Sequence, residues 1–141
     1  MQLELALVEP GPFRPGQEVR LRATYRADAP TATFHRMVMG WAPDELELLV
    51  DGPGGHRVSP RLLVTTPKDL PVGPDDVVQV TPEGPCTFDF PLWGDEPLPP
   101  GEHTVRARRP ALTWLEGVPG LPAGLDRAEL VSDAVVVRVD A

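Results

Sequence analysis

The sequence predicts an all-β fold, an antiparallel β-sandwich of seven to nine short strands. Three observations predict it. Hydrophobic and polar residues alternate with period two in one segment after another. Turn-forming clusters separate these segments, and the chain holds 19 prolines and 13 glycines. No stretch keeps the apolar spacing of an amphipathic helix; a single helical turn in the last long loop, near "AGLDRAEL", is the most the pattern allows. With 141 residues, 41% of them hydrophobic, the chain fits one domain, residues 1–141, around one core rather than a disordered segment.

The elements follow in order. In "QLELALV", Leu3, Leu5 and Leu7 share one face. The turn "EPGPFRPGQ" leads into "EVRLRATYR", where Val19, Leu21, Ala23 and Tyr25 point one way and Arg20, Arg22, Thr24 and Arg26 the other. Side chains alternate across a strand, so this is a half-buried strand with an arginine-studded outer face. Arg20 and Arg22 are expected to lie between Glu4 and Asp89 on neighbouring strands and to pair with them. "ATFHRMVMGW" reads as a third strand, apolar on both faces, and the pattern does not select the inner one. "DELELLV" and "HRVSPRLLV" flank the glycine-rich turn "DGPGG" as a hairpin. "DDVVQV" is a short strand. "CTFDFPLW" sets Cys86, Phe88 and Phe90 on one face and Asp89 outside. "EHTVRAR" turns His103, Val105 and Ala107 inward, and "SDAVVVRVD" closes the chain with Val135, Val137 and Val139 inward. Between these last two lies a long loop insertion, 110–130.

Charge excludes one class of function. The formal net charge is −8, with 21 acidic and 13 basic residues, the wrong sign for a surface that grips nucleic acid. No apolar run is long enough for a membrane span, and no basic, apolar leader opens the chain, so a cytoplasmic location without membrane contact is the expectation. One cysteine, Cys86, leaves no partner for an internal disulfide.

Several segments together resemble bacterial immunoglobulin-like and macroglobulin-like β-sandwich domains. They are "FRPGQEVRLRATYR", "LELLVDGPGGHRV", "VTPEGPCTFDFPL" with "PLPPGEHTVRA", and "SDAVVVRV". Each motif is short, and it is their order that carries the resemblance. It implies an immunoglobulin-like sandwich whose third, penultimate and last strands share a sheet, and a habit of serving as a binding or spacing module. It implies no activity, because such folds host many functions. Where the family often has tyrosine two residues after the Pro-Gly, this chain has His103. A tyrosine at that corner bonds back to backbone upstream, and an imidazole N–H can do the same.

The residues offer little chemistry. Ser59 and Ser132 are the only serines, and neither lies in a G-x-S-x-G turn. His35, His56 and His103 lack the spacing of metal ligands. "DGPGG" lacks the lysine and helix of a phosphate loop. The expectation is therefore no catalytic, cofactor or metal site. A protein partner, or self-association, is the better reading. The 110–130 loop carries Leu112, Trp114, Leu115, Val118, Leu121 and Leu125, which either cover their own sandwich or meet a partner. Tryptophan and arginine are the usual interface anchors, so the candidate contact residues are Trp114, Leu115, Arg108 and Arg109, with Trp93 as a further one. The adjoining sheet face belongs to the same candidate surface; it would bear either Met37 and Met39 or Phe34 and Val38, with Arg106, Val136 and Arg138. A carbohydrate or small ligand stacked on an exposed tryptophan is the alternative.

Overall fold

The computed structural model describes residues 1–38, 40–59, 72–92 and 97–141. Among them the strands are β1 (Gln2–Leu7), β2 (Arg20–Arg26), β3 (Thr31–Phe34), β4 (Met37–Val38), β5 (Ala42–Pro43), β6 (Glu47–Asp51), β7 (Arg57–Ser59), β8 (Val77–Val80), β9 (Cys86–Pro91), β10 (Gly101–Arg109), β11 (Leu130–Val131) and β12 (Val135–Val139). All pairings between strands are antiparallel. Two one-turn 3-10 helices, Pro74–Asp76 and Thr113–Leu115, complete the regular structure.

The first sheet has the order β1-β2-β9. In the second, β7, β6 and β10 lie side by side, and β11 and β12 share the far side of β10. The alternation read from the sequence sets which side chains meet. Leu21, Ala23 and Tyr25 of β2 are buried, as are Val105 and Ala107 of β10 and Val137 of β12. Together with Leu3, Leu48, Val50 and Phe90 they form one core between the sheets. Each large apolar side chain so buried stabilises the fold by about 1.5–3 kcal/mol. Of the outer arginines of β2, Arg22 bonds Asp89 through two hydrogen bonds of 2.7 and 2.9 Å as expected, but Glu4 pairs with Arg26, and Arg20 stands 3.9 Å from Glu18 instead.

An exposed strand edge invites pairing with another chain. Phe13 covers part of the edge of β12. Its N–H donates to the Arg138 carbonyl and its carbonyl accepts from the Asp140 N–H, both at 2.8 Å.

Three expectations change. The stretch read as one third strand is interrupted at His35 and Arg36, which turn to Glu45, and Gly40, at a left-handed φ of 78°, folds the rest into the β4–β5 hairpin. The strand count accordingly rises above seven to nine. The place beside β10 and β12 in the second sheet goes to β6, not to the third segment, which pairs instead with β8. Met39, whose facing the sequence left open, lies outside the described residues. The helical turn of the last loop sits at Thr113–Leu115 rather than at 126–130.

That loop packs on its own chain. Leu112, Leu115 and Leu125 are buried with Phe34 in a second, smaller core, and Trp114 and Leu121 lean against it. No helix among the described residues is long and apolar enough to cross a membrane.

Candidate functional site

The densest polar chemistry lies where β3 gives way to the β4–β5 hairpin. The hairpin is closed by the Asp44 N–H donating to the Arg36 carbonyl at 2.8 Å. This closure brings His35 and Arg36 against Asp44 and Glu45. Glu45 is 0% exposed. Its Oε2 accepts from the Tyr25 hydroxyl at 2.7 Å and from His35 Nδ1 at 2.8 Å, and its Oε1 accepts from the Arg36 N–H at 3.1 Å. Beside it, Arg36 Nη2 donates to Asp44 Oδ2 at 2.7 Å, and Nη1 stands 3.7 Å from Asp76 Oδ2. The His35 ring stacks on Phe88 with centroids 4.0 Å apart.

A second buried cation adjoins this cluster. Arg109 is 0% exposed, at the end of β10. It donates to Asp126 Oδ1 at 2.9 Å, to the Ala128 carbonyl at 2.7 Å and to Thr33 Oγ1. Its guanidinium lies 5.6 Å from the centre of the Tyr25 ring. Tyr25 thus stands between Arg109 over its face and Glu45 at its hydroxyl.

Charges taken out of water are costly unless each finds partners, and removing one partner strands the other. Here the partners come from β2, β3, the β4–β5 hairpin and the 110–130 loop. The arrangement works as a brace that ties two irregular excursions to the sheets. Burial first, then the Glu45 charge, hold the Tyr25 hydroxyl well above its ordinary range, so it remains a donor. The Cys86 thiol is also pushed up, by burial first and by Glu45 second, which keeps it from the thiolate form that reacts.

The three histidines go to three different partners. His35 is on Glu45; His56 Nδ1 is 2.7 Å from Asp51 Oδ1; His103 Nε2–H donates to the Pro99 carbonyl at 2.7 Å. The last is the corner bond expected of His103, reaching four residues upstream. Among the described residues no three His, Cys, Asp or Glu side chains are grouped to hold a metal.

The candidate contact residues are scattered by this packing. Leu115 and Arg109 lie fully inside the chain, so neither offers a surface: one fills the second core and the other holds the brace. Trp114 is half-buried, edge-on to Phe34 with centroids 5.2 Å apart. Arg108 stays on the outer face of β10, paired with Glu129 at 2.8 Å and Glu47 at 3.2 Å. Trp93 lies outside the described residues.

A surface feature remains, on the outer face of the second sheet. Cross-strand partners share a face. Val58 stands beside Leu49, Leu49 beside Arg106, and Thr104 beside both Asp51 and Val136. Val58 is 50% exposed and Val136 42%. Val131, also exposed, stands beside Arg108. Of the residues expected here, Arg106, Val136 and Arg138 are on this face, but Phe34, Met37 and Val38 are not, because their segment pairs with β8 and β5. Leu49 and Val58 take that place, and the sequence reading missed them because their hairpin was read for its turn. It missed the brace altogether. Asp44 and Glu45 read as the polar start of a strand, and nothing local ties them to Tyr25.

Compared with known proteins, the chain matches no family model, and no curated protein is recovered as a relative.

Proposed function

We propose that the chain is a non-enzymatic interaction module of immunoglobulin-like type, and that its contact surface is the outer face of the sheet formed by β7, β6, β10, β11 and β12. The observation that carries this reading is the row of valines exposed on that face, Val58, Val131 and Val136, set around charged side chains. Exposed apolar groups collected on one regular face, with arginine among them, have the composition of contact surfaces. The antiparallel two-sheet core supports the immunoglobulin-like reading. The polar groups that look chemical support the non-enzymatic part. Glu45 is sealed from solvent, and burial and the Glu45 charge push the Cys86 thiol up, away from the thiolate.

The candidate surface thereby moves from the 110–130 loop to the sheet beside it. Arg108 belongs to both descriptions, and Trp114 is half-buried. The alternative, a small or carbohydrate ligand, draws on Trp41, 37% exposed in the turn of the β4–β5 hairpin.

The test is a photo-activatable side chain placed at Val58, at Val136 and, on the other sheet, at Ala6. Proteins that cross-link from Val58 and Val136 but not from Ala6 are the expected result. Equal labelling from all three, or none from the first two, contradicts the assignment. A saccharide panel that quenches tryptophan fluorescence, and loses that effect in Trp41→Ala, favours the alternative.

A further inference from the structure

We propose that the occupant of this face is a second copy of the chain, docked face to face along a diagonal, uncharged stripe; the proposal rests on the interaction-module reading above. The strand register draws the stripe. Val58 and Leu49 lie on one cross-strand row, and Thr104 and Val136 lie on the next row along. The stripe therefore steps diagonally across four strands. It leaves out two corners of the central quartet, and these carry opposite charges. Arg106 occupies the corner beside Leu49, and Asp51 the corner beside Thr104.

An isologous contact requires a patch that complements itself. A two-fold axis lying in the interface along the stripe returns the stripe to itself and exchanges its flanks. Arg106 of each copy then meets Asp51 of the other, twice over. The charges are available for this. Among the described residues Arg106 makes no ion pair, whereas Arg108 is engaged by Glu129 and Glu47, and Arg138 by Glu102. Asp51 gives one oxygen to His56 and is still 48% exposed. The net charge of −8 opposes the approach of two copies at long range. The paired corners supply the short-range attraction and fix the register.

The experiment is sedimentation velocity on the whole chain across a concentration series. The variants are Arg106→Asp, Asp51→Arg and the double exchange, each checked for folding by circular dichroism. The wild type should dimerise, each single variant should weaken the dimer by roughly tenfold or more, and the double exchange should restore it. A wild type that stays monomeric, or a double exchange no better than the singles, overturns the proposal. Should Asp51→Arg fail to fold for want of its His56 contact, Val136→Glu decides: loss of the dimer supports the proposal and an unchanged dimer overturns it. A monomeric wild type that still cross-links from Val136 to a different protein overturns the second copy but leaves the interaction face standing. No cross-link from Val58 or Val136 removes both.

Discussion

The Tyr25 hydroxyl donates to Glu45 Oε2 at 2.7 Å in the interior, twenty residues apart in the chain and both 0% exposed. This contact joins the middle strand of the first sheet to the foot of the β4–β5 hairpin. A buried carboxylate depends on its donors, and losing one leaves an unsatisfied group. Tyr25→Phe should therefore lower stability by about 1–3 kcal/mol in urea unfolding. Glu45→Ala strands the Tyr25, His35 and Arg36 donors together and should cost more. A Tyr25→Phe protein as stable as the wild type would contradict the brace.

Arg109 holds the 110–130 loop through Asp126 and the Ala128 carbonyl. Arg109→Ala leaves Asp126 without its cation and should cost about 3–5 kcal/mol, the range for breaking a buried pair. The same change should expose Arg127 to trypsin before the rest of the chain unfolds. Mass spectrometry of the first cleavage product reads this directly. First cuts elsewhere would show that Arg109 does not control the loop.

Gly52 closes the β6–β7 turn against the corner histidine. A Cβ there would stand 2.7 Å from His103 Nδ1 and 2.8 Å from the Glu102 carbonyl, at a φ of +154°. Gly55, at φ +90°, has nothing within 4 Å of its Cβ position. Ala at Gly55 pays only for the left-handed backbone, of order 1 kcal/mol. Ala at Gly52 adds a clash with backbone that cannot swing away. Thermal melts of the two variants should rank Gly52→Ala well below Gly55→Ala, and the reverse order would contradict the packing at this corner.

Asp89 is held below the usual carboxylate range, first by its hydrogen bond from Arg22 and, against the effect of burial, by the Arg22 and Arg20 charges. A carboxyl depressed in the folded state contributes stability that is present above its unfolded value near 3.8 and is lost as pH falls through the folded one. Asp89→Asn should flatten the acid limb of a stability–pH profile below about pH 4. The limb should also shrink in high salt, since the pair is on the surface.

Much of the fold was legible because burial here follows period two. Leu21, Ala23 and Tyr25, and likewise His103, Val105 and Ala107, are buried as their alternation requires. The break at His35 and Arg36 and the turn at Gly40 were not legible, because a strand apolar on both faces carries no period to interrupt. The 110–130 loop showed its hydrophobic content but not its direction; Phe34, its chief partner, is some eighty residues upstream. Arg109 followed Arg108 and looked equally available for contact. The strand alternation that turns Arg108 outward turns Arg109 in, where Asp126 and Thr33 receive it. The brace was hidden for the same reason, since its members come from distant segments and meet only in the folded chain.

The central claim is that the chemical-looking groups of the interior serve the fold. Tyr25 tests it most directly, because it is the only tyrosine in the chain. Its folded-state pKa is raised, so its contribution to stability is fully present below the unfolded value of 10.0 and is lost as pH rises past that value. An alkaline titration followed by phenolate absorbance, with circular dichroism on the same samples, should show no phenolate until the protein unfolds. Both signals should then change together. Phenolate that appears near pH 10 with the fold intact would contradict the account.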